Sequence, residues 1–188
     1  GNNATGAHSI LYGMAGDNVE ACQLYLNKGE AIELKEIGEK NLSSIINQSG
    51  TNNELHRKLN ELREKHSETI KSDFPRHWRR ASGYSLNYLI EKPFNPAKLL
   101  AGAEGTLGLA TEFTLKLVKS PSHTGLVILQ FDNMIRAMEA VPAILERNPS
   151  AVEIIDKMLI ELTRANPFYS QMLTFIDGDP ETILVVEF

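Results

Sequence analysis

Residues 98–118 read KLLAGAEGTLGLATEFTLKLV, a glycine-containing turn followed directly by an alternating segment. Alternation of apolar and polar side chains with a period of two predicts a strand that buries one of its faces. We therefore expect a half-buried strand over residues 109–118, entered through a glycine turn at residues 101–108. The apolar side chains of the expected buried face are Phe113, Leu115 and Leu117.

The sequence before this stretch predicts a hairpin and a long helix. Residues 19–26 and 31–35 are two β-like runs on either side of Asn-Lys-Gly-Glu, a sequence that favours a tight turn. A charged helix is expected to start near Asn53. It should end before Pro75, because proline cannot continue a helix interior.

The sequence changes character near residue 120. Residues 120–125, Ser-Pro-Ser-His-Thr-Gly, are typical of a linker, and we place a domain boundary there. Residues 120–188 contain ten acidic side chains and only four basic ones. The elements predicted beyond the boundary are strands at 126–131 and 181–188, a helix at 156–165, and at 151–155 either a strand or the start of a helix.

A helix is also predicted directly after residue 131. Asp132 has a side chain suited to the N-cap of this helix. Pro142 is expected to kink or break it. Apolar side chains at helical spacing predict a stripe that packs in the core rather than against a cofactor. This stripe comprises Met134, Met138, Val141 and Leu145.

The composition of the 188 residues, 42% hydrophobic and 23% charged, is that of an ordinary globular protein. No apolar run approaches the roughly 20 residues that cross a bilayer, and no signal-peptide pattern is present, so we expect neither a membrane span nor secretion. The one cysteine, Cys22, can form no internal disulfide, which favours a reducing, cytoplasmic location. Cys22 itself is expected to be a buried, inert thiol.

The formal net charge of −5 argues against nucleic acid as a partner. The charge is uneven, since residues 54–80 contain eight Lys and Arg against five Asp and Glu. Within this stretch, residues 76–80 read RHWRR. A solvated or domain-contacting face is the simplest interpretation, while guanidinium groups would also suit an acidic substrate or a cofactor phosphate. Nucleic-acid binding is the least favoured of these interpretations.

The histidines predict no metal centre. His56 and His66 lie in the charged helix and are expected to face solvent. His8 and His123 have no partner His or Cys at the spacing of metal ligands, so no metal site is predicted.

The opening residues 2–18 are rich in Gly, Asn and small side chains and have no apolar period, which predicts an extended loop. Glycines permit positive φ and the close approach of a ring system or a polyanion. On spacing alone, an ordinary glycine-rich turn is the simpler interpretation. Asp17 is expected to hold the loop by accepting backbone N–H groups. The candidate ligand contacts of the loop are Asn3, Thr5, Gly6 and Gly13.

Three separated motifs together resemble a known family. The first is the opening loop, with two Asn, a small residue, Gly, then Tyr-Gly and an Asp. The second is RASGYSL at residues 80–86, and the third runs from Lys98 to Glu112. In this order they resemble the FAD-linked 2-hydroxyacid dehydrogenases. This family includes the D-lactate dehydrogenases, the glycolate oxidase D subunit and the D-2-hydroxyglutarate dehydrogenases.

The resemblance implies an α+β fold and FAD as cofactor. Residues 1–119 would form the C-terminal part of the FAD-binding domain, namely the second subdomain of a vanillyl-alcohol-oxidase-like domain, an antiparallel sheet with helices. Residues 120–188 would form the N-terminal part of an α+β substrate-binding cap domain. The chain thus resembles the middle of a longer enzyme. By itself it is expected to be inactive and to hold FAD weakly or not at all.

The resemblance also implies site residues. Residues 104–109 are similar to the family segment beside the adenine and ribose of the cofactor. By local pattern alone, a glycine turn ahead of a strand is the simpler interpretation. Arg79 and Arg80 are weaker candidates for binding a substrate carboxylate. No residue of the chain is assigned as catalytic, because the family's catalytic residues would lie downstream. The cofactor-binding candidates of this segment are Glu104, Gly105, Gly108 and Leu109.

The implied activity is oxidation of a D-2-hydroxy acid, such as D-lactate, glycolate or D-2-hydroxyglutarate, by hydride transfer to flavin. The electron acceptor is not identified, and an iron–sulfur portion of the same parent chain is one candidate. Two alternatives stay open. A non-catalytic interaction module would dock an acidic partner through the basic helix at 54–80. A flavin enzyme acting on sugars, amines or phenols is the other alternative.

Overall fold

The computed structural model describes residues 2–188, which form helices and two antiparallel sheets. The predicted α+β class is therefore confirmed. Short 3₁₀ turns lie at Ala15–Asn18, Pro96–Leu100 and Tyr169–Met172. The helices are α1 (Ser9–Tyr12), α2 (Glu39–Ile46), α3 (Thr51–Asp73), α4 (Asn87–Ile90), α5 (Met134–Leu145) and α6 (Lys157–Ala165). The strands are β1 (Val19–Tyr25), β2 (Ala31–Lys35), β3 (Leu109–Leu115), β4 (Leu126–Phe131), β5 (Ala151–Asp156) and β6 (Thr182–Glu187).

The chain divides into two units. The first unit comprises residues 2–5 and Gly13–Val118, and the second comprises Gly6–Tyr12 and Lys119–Phe188. The short segment Gly6–Tyr12 thus belongs with the C-terminal part of the chain. The division rests on contacts alone, so the predicted identities of the two parts stay predictions.

The sheet of the first unit has the strand order β2-β1-β3. The predicted hairpin is confirmed, with β1 and β2 antiparallel and Tyr25 opposite Ala31 beside the turn. On its other side, β1 pairs antiparallel with β3, and here Tyr25 lies opposite Leu109. The hairpin turn and the start of β3 therefore lie side by side at one end of the sheet.

The 3₁₀ turn at Pro96–Leu100 and Leu55 of helix α3 pack on one face of this sheet, and the helices of the first unit form a second apolar cluster. Helix α3 starts within two residues of its predicted start and ends before Pro75, as predicted. Leu55 of α3 packs against the sheet core around Cys22 and Leu24. Ile70, near the other end of α3, packs into a second cluster with Tyr88 and other apolar side chains.

The predicted half-buried character of β3 is wrong. The strand ends at Leu115, and Leu117 beyond it is 88% exposed. Phe113 and Leu115 are also exposed, and within the described chain only Ala110 of β3 packs against the sheet core. The reason lies in the packing, because the 3₁₀ turn at Pro96–Leu100 packs against β1 and β2 rather than over β3.

The second unit has a sheet in the order β4-β6-β5, with antiparallel pairing throughout. The strands predicted at residues 126–131 and 181–188 are confirmed, and residues 151–155 form a strand rather than a helix start. The central strand β6 is the most buried, with Ile183, Leu184 and Val186 almost fully covered.

Helix α5 differs from its prediction at the N-cap. Asn133, not Asp132, caps the helix, since its Oδ1 accepts the N–H of Ile135 at 2.7 Å. Asp132 instead accepts hydrogen bonds from Arg136 at 3.1 and 3.2 Å. Two adjacent side chains were chemically equivalent as caps, and the backbone conformation of Asn133 selects the second.

The buried face of α5 also differs from its prediction. Ala137 is fully buried and packs on β6 with Val141 and Ile144 at its flank. Met138 is 52% exposed, and Met134 and Leu145 are exposed as well, so the predicted core stripe is wrong except for Val141. The helix has two neighbouring apolar faces. The sheet covers the face that lies about 60° around the helix axis from the predicted one. Of the two effects predicted for Pro142, a break does not occur.

Candidate functional site

Hydrogen bonds in the first unit join the three sequence motifs. The Asn3 amide nitrogen donates to Ser85 Oγ at 3.4 Å, and this hydroxyl donates to the carbonyl of Ala101 at 3.3 Å. The Tyr84 hydroxyl lies 2.9 Å from Thr106 Oγ1. Residues from the start, the middle and the glycine turn of the family-like region are thus assembled in one place.

Asn3 closes the opening loop on itself. Its side chain is 3% exposed, and its Oδ1 accepts the N–H of Gly16 at 2.8 Å. Nearby, Ala15 donates its N–H to the carbonyl of Ala4 at 3.2 Å. Both the nitrogen and the oxygen of the Asn3 side-chain amide are therefore hydrogen-bonded within the protein. Asn3, a predicted cofactor contact, uses its side chain to hold the loop. Only its backbone is left for a ligand.

Asp17 holds the same loop, as predicted. Its Oδ2 accepts the N–H of Met14 at 2.7 Å. A Cβ on Gly13 would lie 2.6 Å from this oxygen, and Gly13 has a φ of +74°. Glycine is therefore required at residue 13 by the loop's own structure, whatever else the loop binds.

Tyr88 anchors the loop from helix α4. Its hydroxyl donates to Asp17 Oδ1 at 2.9 Å, and its side chain is 3% exposed. Burial, followed by the hydrogen bond to Asp17, raises the pKa of Tyr88 well above its ordinary value. The phenol accordingly stays protonated and acts as a permanent donor. A Cβ on Gly16 would lie 2.7 Å from the Tyr88 oxygen, so the loop passes close over the ring.

Thr5 and Gly6 stand apart from this network. Thr5 is exposed. Gly6 belongs to the second unit, where its N–H donates to Ser9 Oγ at 2.7 Å. A Cβ on Gly6 would meet no atom within 4 Å, so its outer side is open.

A groove of about 800 Å³ lies at the end of the first sheet, where the hairpin turn meets the start of β3. Residues 25–27 and Gly29 form one wall, and residues 105–109 form the other. Three of the predicted cofactor contacts, Gly105, Gly108 and Leu109, thus line one groove. Glu104 is exposed beside it, with an unusual φ of +49°.

The two glycines of the groove have different reasons to be glycine. A Cβ on Gly108 would lie 2.8 Å from Leu24 Cδ1 and 2.9 Å from the Tyr25 carbonyl. Gly108 therefore permits the close approach of β3 to β1. A Cβ on Gly105 would meet nothing within 4 Å, although its φ is +81°. The space beside Gly105 is open to a ligand.

The groove offers hydrogen-bond donors without charge. Among residues 2–188, the backbone N–H groups of Gly105 and Leu107 have no partner, whereas the N–H of Thr106 donates to the Ala103 carbonyl at 2.9 Å. No acidic or basic side chain lines the groove. Sequence analysis missed the hairpin wall, because no local pattern reveals which turn lies beside the start of β3.

Arg79 and Arg80 are held by aromatic rings outside this assembly. The Arg79 guanidinium lies over Trp78 at 4.8 Å from the ring centre. Arg80 lies over Phe74 at 4.9 Å and donates to the carbonyl of Pro75 at 2.9 Å. In the described part of the chain, neither guanidinium bonds to a residue of the three motifs. The side chain of Arg79 is exposed and keeps its donors for another molecule.

The structure corrects one prediction for the remaining titratable side chains, the exposure of His56. His56 is 2% exposed, so the predicted solvent-facing position is wrong. Its Nδ1 lies 2.7 Å from the Asn52 carbonyl, one helical turn earlier, while Nε2 has no partner among residues 2–188. The periodicity of a highly charged helix did not reveal this burial. Cys22 is buried as predicted, and its burial raises the pKa of the thiol.

Two further properties concern metals and membranes. In the part of the chain that the structure describes, no group of three His, Cys, Asp or Glu side chains lies close enough together to hold a metal ion. None of the helices within residues 2–188 is both long enough and apolar enough to cross a membrane.

Comparison with known proteins identifies relatives over almost the whole chain. No protein-family model matches it. It is 28% identical over 180 residues to D-2-hydroxyglutarate dehydrogenase of Pseudomonas putida, covering 95% of this chain and 18% of that protein. It is 23% identical over 181 residues to D-2-hydroxyglutarate dehydrogenase of Escherichia coli, again covering 95% and 18%. The chain thus spans less than a fifth of these relatives.

Two other matches are shorter or more distant. D-lactate dehydrogenase of Anaerostipes hadrus is 31% identical over 84 residues, covering 44% of this chain and 16% of that protein. A solved chain of alkyldihydroxyacetonephosphate synthase superposes with a TM-score of 0.54 at 15% identity, covering 100% of this chain and 27% of the other. The structural likeness concerns the fold alone. The relatives confirm the resemblance to 2-hydroxyacid dehydrogenases that the motifs predict.

Proposed function

We propose that this chain is the middle part of an FAD-dependent dehydrogenase that oxidises a D-2-hydroxy acid. The observation that carries the proposal is the hydrogen-bonded assembly of the three family-like motifs through Asn3, Ser85, Ala101, Tyr84 and Thr106. The names of relatives aligned over 95% of the chain support it.

In this proposal the two parts of the chain have different roles. Residues 1–119 belong to the FAD-binding domain as its second subdomain, and residues 120–188 begin the substrate-binding cap. The antiparallel sheet β2-β1-β3, with helices against it, suits the first role. The coverage of less than a fifth of the relatives agrees with a part of a longer enzyme.

The residues present fit a flavin cofactor. Open space beside Gly105 and the unpaired N–H groups of Gly105 and Leu107 suit a large ligand rich in acceptors. Glu104 and Thr5 are exposed and available to it. When bound, FAD supplies the acceptor for the hydride that leaves the substrate carbon. The chain's own residues bind and orient the cofactor.

The substrate carboxylate needs a cation, and Arg79 is the candidate with free donors. Its ring partner Trp78 limits the motion of the guanidinium, so less freedom is lost on binding an acid. Arg80 is partly satisfied already by the Pro75 carbonyl. The base that takes the hydroxyl proton is not assigned to this chain. An iron–sulfur portion of the parent protein remains our candidate electron acceptor.

A second candidate function rests on the same basic segment. The exposed pair of Trp78 and Arg79 would also suit an acidic protein partner, in a non-catalytic interaction module that uses residues 54–80. Binding to such a partner would fall steeply with added salt, because exposed charges are screened.

The test is a visible absorption spectrum of the full-length protein, followed by anaerobic addition of D-lactate, glycolate and D-2-hydroxyglutarate in turn. We expect a flavin band that one of these acids bleaches. A flavin band that none of them bleaches would retain the cofactor and reject the hydroxy acid. A colourless protein that takes up no added FAD would reject the enzyme and favour the interaction module.

The role of Arg79 is tested separately by a matched pair of variants in the full-length enzyme. Arg79→Gln should raise KM for the bleaching acid by about tenfold or more, as loss of a charge-assisted hydrogen bond requires. Arg76→Gln removes an equal charge three residues earlier, at an exposed side chain that has no aromatic partner within residues 2–188, and it should change KM by less than about twofold. Equal effects of both variants would assign the influence to general charge rather than to a clamp.

A further inference from the structure

Helix α6 of the second unit turns an apolar face to solvent. Its residue Ile160 is 1% exposed, whereas Met158 and Leu162 are 65% and 61% exposed. Because an α-helix turns by about 100° per residue, Met158 and Leu162 each lie about 160° around the helix axis from Ile160. A helix that packs on a sheet through one face normally presents polar side chains on the opposite one. The outward face of α6 is instead suited to contact with another apolar surface.

The chain beyond α6 extends this face. Asn166 follows the helix, and its Oδ1 accepts the N–H of Phe168 at 3.0 Å. The 3₁₀ turn Tyr169–Met172 then packs beside α6. The rings of Phe168 and Tyr169 meet edge to face, with their centres 5.2 Å apart. The exposed apolar side chains of this region, which we call the α6 surface, are Met158, Leu159, Leu162, Phe168, Tyr169 and Met172.

The charges around the α6 surface are mainly acidic. Residues 156–181 contain five acidic side chains and two basic ones. Both basic side chains, Lys157 and Arg164, are paired with Asp179. A surface that covers this region should therefore be apolar at its centre and basic at its rim, because complementary charges set which surfaces associate. The exposed acidic side chains outside the Asp179 cluster are Glu161, Asp177 and Glu181.

This pattern disfavours three other occupants. A second copy of the chain would bring two acidic rims together, and like charges across an interface cost free energy. An anionic membrane surface would repel the rim in the same way. A transient protein partner is disfavoured by the apolar composition, since transient interfaces are about as polar as the rest of a surface and permanent ones are more apolar.

We propose that the α6 surface is permanently covered by a segment of the parent protein outside residues 1–188, with apolar side chains at its centre and Lys or Arg at its rim. The proposal rests on the proposed function, because it requires the chain to be part of a longer protein. The chain spans less than a fifth of its curated relatives. A segment of the same polypeptide also binds without the full entropy cost of bringing two molecules together.

The first measurement is hydroxyl-radical oxidation of Met158 and Met172 in the purified full-length protein, read by mass spectrometry. Within residues 2–188 these side chains are 65% and 55% exposed, so an uncovered surface would let them oxidise nearly as fast as in urea-unfolded protein. We expect both to oxidise at least about tenfold more slowly than that, at a rate that does not change on dilution.

Zero-length cross-linking identifies the covering segment. A carbodiimide joins a carboxylate to a lysine ammonium group that touches it. In monomeric full-length protein we expect Glu161 to be joined to a lysine outside residues 1–188.

A matched pair of variants tests the surface itself. Leu162→Glu places a charge at its apolar centre and should speed the oxidation of Met158 by about tenfold. Thr124→Glu adds the same charge at an exposed side chain next to Leu126, at the opposite end of the second sheet from the start of α6. It should change the oxidation rate by less than about twofold. Circular dichroism of each variant shows whether the fold is retained.

Three outcomes would overturn the inference. Met158 and Met172 of the natural full-length protein could oxidise at the unfolded rate, which would leave the α6 surface open. Protection that disappears on dilution together with a dimer would assign the surface to a second copy. Protection that arises only with vesicles of phosphatidylcholine and phosphatidylserine would assign it to a membrane.

The flavin spectrum separates this inference from the proposed function. A flavin band bleached by a hydroxy acid, together with rapid oxidation of Met158, would retain the dehydrogenase and reject the covering segment. A colourless protein that takes up no FAD but protects Met158 would reject the dehydrogenase and support the covering segment.

Discussion

The hydroxyl of Tyr88 donates a 2.9 Å hydrogen bond to Oδ1 of Asp17, a residue 71 positions earlier in the chain. The other oxygen of this carboxyl accepts the N–H of Met14. One carboxylate thus closes the opening loop and attaches it to helix α4. Because the same loop contains Asn3 and Gly13, the Tyr88–Asp17 bond holds residues that we propose as part of the cofactor site.

Tyr88→Phe should lower the free energy of unfolding of the first unit by about 1–2 kcal/mol, because it removes a hydrogen bond to a charged acceptor. Urea unfolding followed by the fluorescence of Trp78, the one tryptophan, measures this. Tyr169→Phe is the control, since Tyr169 is exposed, and it should change the value by less than about 0.5 kcal/mol. Equal effects would show that the Asp17 bond contributes nothing.

Gly108→Ala should destabilise the first unit more than Gly105→Ala does. Both glycines have positive φ, but only the Gly108 Cβ would collide, at 2.8 Å from Leu24 and 2.9 Å from the Tyr25 carbonyl. We expect a loss of about 2–4 kcal/mol for Gly108→Ala and about 1 kcal/mol for Gly105→Ala. Trp78 fluorescence in urea measures both variants. Similar losses would contradict the close approach of β3 to β1.

The stability of the second unit should depend on the ionisation of Glu187. Its carboxylate accepts from His8 at 2.9 Å and from Ser150 at 3.1 Å. The hydrogen bond from His8, and then that from Ser150, holds the pKa of Glu187 below its ordinary value of 4.5. Because the pKa of Glu187 is lowered in the folded state, the ionised carboxylate stabilises the fold at pH values above its ordinary pKa. This stabilisation is lost as the pH falls through the lowered pKa of the folded state.

Glu187→Gln tests this dependence. The natural chain and the variant should differ most in their urea midpoint of unfolding near neutral pH. This difference should shrink as the pH falls below about 4.5. Circular dichroism in urea at a series of pH values measures it. Ser150→Ala removes one of the two donors and should give a smaller, parallel change. A difference that does not vary with pH would exclude the carboxylate as its source.

His56→Leu should leave stability unchanged or raise it by up to about 1 kcal/mol. The reason is the buried Nε2, which has no partner among residues 2–188, because replacing an unsatisfied polar group by an apolar one of similar size removes its desolvation cost. His66→Leu, at a half-buried position of the same helix, is the control and should change stability by less than about 0.5 kcal/mol. A loss above about 1 kcal/mol for His56→Leu would show that the Nδ1 contact with the Asn52 carbonyl outweighs the cost of the buried Nε2.

Elements whose signal is local were predicted well. The hairpin of β1 and β2 was predicted from two β-like runs around Asn-Lys-Gly-Glu, and α3 from its start near Asn53 and the stop at Pro75. These features depend on turn chemistry and on residues close together in sequence. They could therefore be derived without knowing what packs against them.

Burial was predicted less well, for a physical reason. Met138 and Ala137 are adjacent and both apolar, and only the position of the sheet decides that Ala137 is buried and Met138 exposed. In the same way, the alternation of β3 is that of a half-buried strand, yet nothing within residues 2–188 buries Phe113, which is 39% exposed. His56 shows the reverse case, a polar side chain that the packing of α3 covers.

By itself, the sequence determined the strands and helices, the three motifs and the family that they resemble, because these depend on periodicity and on residue types in a fixed order. Only the tertiary structure decided which helical face is buried, which glycine serves the fold and which faces open space, and that the hairpin turn with Tyr25 and Asn27 lies beside residues 105–109. Those outcomes depend on contacts between segments far apart in the chain. The free energy of such contacts is set by the surfaces that meet, and a local pattern does not contain it.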